Sequence, residues 1–377
     1  QAARCPSDAH ALNCGPMDTF RTSLSRRSLF ALPLLAALPA AAQTETFPTK
    51  AIRIIVPFAP GGSGDITARL VGKYIEEKTG QPFIVENKPG ANGIVGAMSV
   101  KVAPPDGYTL MLATTSTNAA NVHMYKNPGY DPEKDFSVVG IIGSSGTFLV
   151  VPADSPYKTL ADLLADAKAR PGKLNFGYFN ASSQVPAEVL AARAGVTWQG
   201  VGYKAIGNAW NDLYGGAINF MFVDLTAGRG QVVDKKARAL AISLPSRSPL
   251  YPDIPVLAET FPGFTTSGFL AIAVPKATPL PIQQRLNTLI NEAITAPENN
   301  KRLTEEFALT AKPLTLEQCA QQDREERAID ADATTIALAR EVAALLTARK
   351  LTATGYRMAW RRALAAAAKA GISWPYR

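Results

Sequence analysis

Between residues 51 and 243, short apolar stretches rich in β-branched side chains alternate with amphipathic ones, and this alternation limits the fold more than any other feature. "AIRIIVPF" reads as a buried strand, and "DITARLVGKYIEEKTG" follows as a helix with apolar spacing and a glycine stop. "PFIVEN" is a strand, "GIVGAMSVKVA" a helix and "YTLMLAT" a third strand, introduced by the turn "PPDG". The pattern resumes with "TFLVVPA", "TLADLLADAKARPG", "KLNFGYF", "AEVLAARAG", "NAWNDLYGG", "INFMFVD" and "ARALAIS". Such alternation predicts an α/β protein with parallel sheets covered by helices on both faces. Sheets of this kind bind ligands beyond the C-terminal ends of their strands. With 377 residues and 47% hydrophobic content, the chain is long enough for two lobes with separate cores.

The formal charge of +8 suggests nucleic acid or membrane until it is mapped along the chain. Residues 1–42 carry four basic and two acidic side chains, and residues 341–377 carry seven basic and one acidic, shares of +2 and +6. The remainder is close to neutral, so the basic excess belongs to the ends and a nucleic-acid partner is not expected. "MDTFRTSLSRRSLFALPLLAALPAAAQ", from Met17, has the layout of a secretory signal peptide (17–42): Arg21, Arg26 and Arg27, a short apolar run, and Ala40 to Ala42 before Gln43. The apolar run is shorter than the roughly 20 residues that span a bilayer, so cleavage near Gln43 and a periplasmic destination are expected. Arg26 and Arg27 also fit a twin-arginine signal, although Leu29 and Phe30 stand in reversed order; both export routes stay open. Residues 1–16 read as an upstream extension.

Cleavage would remove Cys5, Cys14 and His10 and leave Cys319 and His123. One thiol forms no internal disulfide, and one His with one Cys is too little for a structural zinc site. No G-x-S-x-G elbow is present, since Ser63 lies in "GGSGD". His123 reads as a surface or half-buried loop residue and Cys319, in "LEQCAQQ", as inert. No catalytic residue, metal or cofactor is expected; an enzyme on the same scaffold is disfavoured by the lone histidine.

"VPFAPGGSGDITARL" sits at the C-terminal end of the first strand. Its glycines let backbone N–H groups approach a guest, and the helix from about Asp65 presents its positive end, an arrangement that suits an anion. The loop lacks the Lys of a phosphate-binding loop and the G-x-G-x-x-G spacing. Taken alone, it is equally a turn followed by a helix cap at Asp65. "ATTSTN" places Thr114, Thr115 and Ser116 after the third strand, and "NASSQVPAE" places Ser182 and Ser183 at the start of a later helix. Three such strand ends without a strong nucleophile, base or metal ligand suit holding a small anion better than transforming it.

The stretch "FPTKAIRIIVPFAPGGSGDITARLVGKYIEEKTGQPFIVENKPGANGIVGAMSVKVAPPDGYTLML" resembles the N-terminal block of the Bug-type extracytoplasmic solute receptors, the substrate-binding proteins of tripartite tricarboxylate transporters. "KTLADLLADAKARPGKLNFGY", "YKAIGNAWNDLYGGAINFMF", "ARALAISLPSRSPLYPDIPVLAETFPGF" and "VPKATPLPIQQRLNTLINEAI" continue the likeness over roughly residues 47 to 325. The resemblance implies a two-lobed periplasmic binding protein fold of type II, a Venus flytrap in which each lobe is a mostly parallel sheet flanked by helices. It implies lobe 1 at 44–147 plus 268–345 and lobe 2 at 148–267, with a basic C-terminal extension at 346–377 beyond them. It also implies a monomer that captures a small organic carboxylate between the lobes, closes by rotation and delivers it to membrane permease subunits. A ligand sensor docking on a membrane signalling protein such as a sensor kinase is the alternative.

By position, Phe58, Ala59, Gly61, Gly62, Ser63 and Asp65 correspond to the family's first carboxylate-holding loop. Thr114, Thr115, Ser116, Asn180, Ser182 and Ser183 correspond to other cleft loops, and Tyr203 to the Tyr of the family's "PYKG". Asp224 is near an acidic family position, and Asp65 or Asp224 is expected to accept hydrogen bonds from a ligand amine, amide or hydroxyl. Tyr178, Phe179 and Asn180 replace a stretch that is usually small, which leaves two readings: an aromatic-stacking cleft or a filled lobe core. Gln184 stands where many members have His, and Ala205 where they have Gly. The stretch from about Arg327 to Tyr356 departs most and reads as an inserted helix, a partner-binding extension or a gene-level scar.

Overall fold

The computed structural model describes residues 47–264, 266 and 268–328. The signal peptide, the upstream extension and nearly all of the C-terminal insertion lie outside the described residues. Among the described residues, ten strands form two five-stranded sheets. The first has the order β2-β1-β3-β10-β4, built from β1 (Ile52–Val56), β2 (Phe83–Asn87), β3 (Thr109–Thr114), β4 (Phe136–Ser145) and β10 (Gly268–Pro275). The second has the order β7-β6-β8-β5-β9, from β5 (Thr147–Pro152), β6 (Asn175–Tyr178), β7 (Gln199–Gly202), β8 (Phe220–Asp224) and β9 (Ala237–Ile242).

In each sheet three neighbouring strands pair in parallel, and one reversed strand, β10 or β5, pairs antiparallel on both sides. Four of five strands therefore point the same way, as a mostly parallel sheet requires, although half of the pairings are antiparallel. The reversal has a simple cause. Only Gly146 separates β4 from β5, so the chain enters the second sheet still running outward. It returns to the first sheet after β9, and there β10 likewise runs against both its neighbours. The two passages are stitched side by side: the Thr147 N–H donates to Ser243 Oγ at 2.9 Å, and that hydroxyl donates to the Thr266 carbonyl at 2.8 Å.

The apolar runs explain the layers. Ile52, Ile54, Leu110 and Leu112 bury against one set of helices while Ile55, Met111 and Ala113 bury on the opposite face, as the two-residue period of a doubly covered sheet demands. In the second sheet Phe176 and Phe220 pack with Trp198 on one face, and Phe148 and Met221 with Trp210 on the other. β4, β7 and β10 lie outside the strands read from the sequence.

Candidate functional site

A cavity lies between the two sheets, walled by the segments that follow β1, β3, β6, β7 and β8, with the end of β4 and the start of β10. Four helices begin on its wall: Ser63–Thr79, Ala181–Ala194, Ile206–Tyr214 and Leu225–Val233. The N–H groups of a helix's first turn have no acceptor within the helix. Three of these helices, with Gly62, Ala205 and Asp224 at the N-cap, also lack a side-chain cap. The wall thus combines outward-facing donors with several positive dipole ends.

Phe58, Ala59, Gly62, Ser63 and Asp65 line the cavity from the first loop. Gly61 does not line it; its φ of 84° aims its N–H back at Asp65 Oδ2, 3.1 Å away. Asp65 is saturated. Its Oδ1 accepts from Arg69 Nε and Nη2 at 3.1 and 2.9 Å and from Asn87 Nδ2 at 3.1 Å, while the same amide donates to the Phe58 carbonyl at 3.1 Å. Burial raises the Asp65 pKa, but the bonds from Arg69, Gly61 and Asn87 and the Arg69 charge outweigh it and hold the carboxyl below the usual range. Asp65 therefore organises the loop, which leaves it little capacity to read a ligand.

Asp224 is the opposite case. It stands at an N-cap without capping its own helix, and it lines the cavity together with Ser63 of the other lobe. Burial pushes its pKa up, more than the Ser63 hydroxyl and its own N–H pull it down. Below the ordinary carboxylate range both folded and unfolded chains hold this proton; above it the unfolded chain releases it first, so ionisation erodes stability until the raised pKa is passed. Asp224→Asn removes that effect. The variant's melting temperature should match wild type near about pH 4 and exceed it increasingly towards about pH 7. A constant difference across calorimetric scans in this range would contradict the assignment.

Of the remaining candidates, Thr114, Ser116, Asn180 and Ser182 line the cavity, and Thr115, Ser183 and Tyr203 do not. Thr115 Oγ1 accepts the Phe269 N–H at 3.1 Å and tethers β10. Ser183 forms a reciprocal cap with Asn180, its N–H bonded to Asn180 Oδ1 at 2.9 Å. The Tyr203 hydroxyl donates to Asp212 Oδ2 at 2.7 Å, and burial together with this carboxylate pushes its pKa up to about 12. Tyr178 packs into the second-sheet core 5.8 Å from Phe176, whereas Phe179 faces the cavity, so the two readings of this pair divide between neighbours.

Sequence reasoning missed Ser145, Lys204, Ile206, Thr226, Phe269, Leu270 and Leu309, all on the wall. Lys204 is its one lysine or arginine among the described residues, and the available signal was alternation: with Tyr203 turned inward, its neighbour turns to the cleft. His123 sits on the short helix Asn121–Met124 away from the cavity. Cys319 is buried, and burial pushes its thiol up to about 11. Among the described residues no cluster of potential metal ligands occurs, and no helix is long and apolar enough to cross a membrane.

Two sheets, each with one reversed strand, enclosing a cleft at the strand ends define a two-lobed periplasmic binding protein. A Rhodopseudomonas palustris protein, Rpa4515 with adipate, superposes with a TM-score of 0.73 at 28% identity, covering 77% of this chain and 98% of that one. MatC of the same organism, with bound malate, gives 0.72 at 29% identity over 76% of this chain and 100% of MatC. The Bordetella pertussis protein BugT is 33% identical over 277 residues, 72% of this chain and 84% of BugT. The chain belongs to the tripartite tricarboxylate transporter receptor family (TctC), whose sequence profile matches residues 67–327. The family resemblance read from the sequence is borne out, and the family is one of solute-binding receptors rather than enzymes.

Proposed function

We propose that this chain is a periplasmic receptor that holds a small organic carboxylate in the interlobe cavity and passes it to the permease subunits of a tripartite transporter. The observation that carries this reading is the convergence of four helix N-termini, three without a side-chain cap, on one cavity. Such a wall offers an anion many N–H donors and no compensating pair of acids, since Asp65 is neutralised by Arg69. Lys204, exposed on the same wall, adds a positive charge. Malate and adipate in two relatives support the ligand class, and the sequence of residues 17–42 supports export. Phe58, Phe179 and Phe269 give the cavity an apolar side that accommodates a carbon skeleton.

Thermal unfolding against aliphatic di- and tricarboxylates, acidic amino acids and benzoate-like acids tests the proposal. An acid at about 100 times its dissociation constant adds roughly 2.7 kcal/mol to the folded state, a rise of about 3–5 °C for a chain of this size. We expect one carboxylate class to give that rise. A folded, ligand-free preparation unmoved by every acid would defeat the carboxylate reading.

Asp224 supplies selectivity in this scheme. Asp224→Asn should reduce the preference for amine-bearing over plain acids by about tenfold, the share of one charge-assisted hydrogen bond. Equal affinity ratios in the variant and wild type, measured by titration calorimetry, would remove Asp224 from that role.

A further inference from the structure

We propose that Asn92 is a positioning residue that holds the two lobes together over the ligand without touching it; the inference rests on the receptor reading. Residues 90–93 run with positive φ at four consecutive positions: Gly90 at 145°, Ala91 at 45°, Asn92 at 54° and Gly93 at 89°. For Ala91 and Asn92 this is an unfavourable backbone that persists only where its surroundings fix it. They do so here. Asn92 Nδ2 donates to Asn121 Oδ1 at 2.9 Å, and the Asn92 carbonyl accepts from Asn121 Nδ2 at 3.0 Å. Gly93 lies so close to Thr117 and Phe58 that a Cβ would stand 3.0 Å and 3.3 Å from their side chains.

The left-handed turn leaves one group of Asn92, its Oδ1, pointing across the cleft. That oxygen accepts the backbone N–H of Ala181 at 3.1 Å, a donor shared with Ser116 Oγ at 3.2 Å. Ala181 opens the helix Ala181–Ala194 of the second sheet, so its N–H has no acceptor in its own helix, and it is fully buried. Parting the lobes breaks this bond. Another cross-cleft bond, from Thr226 Oγ1 to the Phe307 carbonyl, involves a residue of the cavity wall that a ligand perturbs directly. Asn92 lies off that wall. Its bond therefore favours closure whichever acid is bound, and the closed fraction scales the apparent affinity.

Asn92→Gly tests this cleanly, because glycine adopts the left-handed backbone freely and only the side chain is lost. Asn92→Asp keeps an oxygen facing a helix N-terminus, while its second oxygen takes the place of the Nδ2 donor opposite Asn121 Oδ1. With adipate as probe, Asn92→Gly should enlarge the radius of gyration of the ligand-free chain in solution scattering and speed hydrogen exchange of the Ala181 amide. It should weaken adipate binding by about threefold to tenfold, Ser116 retaining part of the bond. Asn92→Asp should return all three readouts towards wild type. Scattering and exchange unchanged in Asn92→Gly would overturn the proposal, and so would an Asn92→Asp variant that behaves like Asn92→Gly. If wild type fails to bind adipate, the carboxylate reading fails for this probe, while the scattering and exchange results still uphold or overturn the latch.

Discussion

Asp65→Ala weakens carboxylate binding by about 30- to 100-fold, for amine-bearing and plain acids alike. The reason is the loop that precedes the helix Ser63–Thr79. The Gly61 N–H, the Arg69 guanidinium and the Asn87 amide all converge on this one carboxylate, and Asn87 also grips the Phe58 carbonyl. Removing the acceptor strands these donors and frees residues 58–62, of which Phe58, Ala59 and Gly62 line the cavity. Arg69 is half exposed, so water recovers part of the loss. What remains, about 2–3 kcal/mol, is the share of several charge-assisted bonds and converts to that range of affinity. The same logic fixes the acid limb. Because the folded pKa of Asp65 is depressed, its contribution is present above the ordinary carboxylate range and is lost as pH falls through the folded value. Titration calorimetry on Asp65→Ala and Asp224→Asn side by side separates the roles: the first should scale every affinity together, the second should change their ratios. A selective loss in Asp65→Ala would show that this carboxylate reads the ligand after all.

Phe220→Ala should destabilise the chain by about 3–5 kcal/mol and leave ligand affinity unchanged below its melting point. Phe220 is fully buried on β8, with the Trp198 ring at 4.8 Å edge-on and the Phe176 ring at 5.9 Å in a stacked arrangement. These three rings pack together on the face of the second sheet turned away from Trp210, and no small rearrangement of a strand held on both sides closes the resulting void. Phe220 does not line the cavity, so affinity provides the internal control. Denaturant unfolding followed by tryptophan fluorescence gives the stability term. A change below about 1 kcal/mol would mean that the cluster is not packed as described.

The fold was legible wherever burial leaves a period in the chain. The runs "AIRIIVPF", "YTLMLAT" and "INFMFVD" are strands because strands covered on both faces must be apolar throughout. β7 escaped notice because its four residues, "QGVG", are half to fully exposed and carry almost no apolar signal. β4 and β10 carry strong apolar signals, but their roles as the paired passages between sheets depend on antiparallel partners more than a hundred residues apart. No local pattern encodes such a pairing.

At the site, the sequence alone determined the chemistry on offer: glycine- and hydroxyl-rich loops at the ends of apolar strands, acids at Asp65 and Asp224, and too few histidines and cysteines for a metal or a catalytic triad. Tertiary structure decided which of each adjacent pair faces the cavity. Thr114 and Ser116 do and Thr115 does not; Ser182 does and Ser183 does not; Phe179 does and Tyr178 does not. Beyond a strand's last residue, neighbouring side chains leave the backbone in different directions, and which one meets the cleft depends on how the next helix is capped and what lies across from it. The same cause separated Asp65 from Asp224. Both are acids at helix starts, but Arg69 and Asn87 converge on the first, while the second is left to Ser63 on the opposite lobe. That difference is made by residues brought together from distant parts of the chain, and only the folded protein contains it.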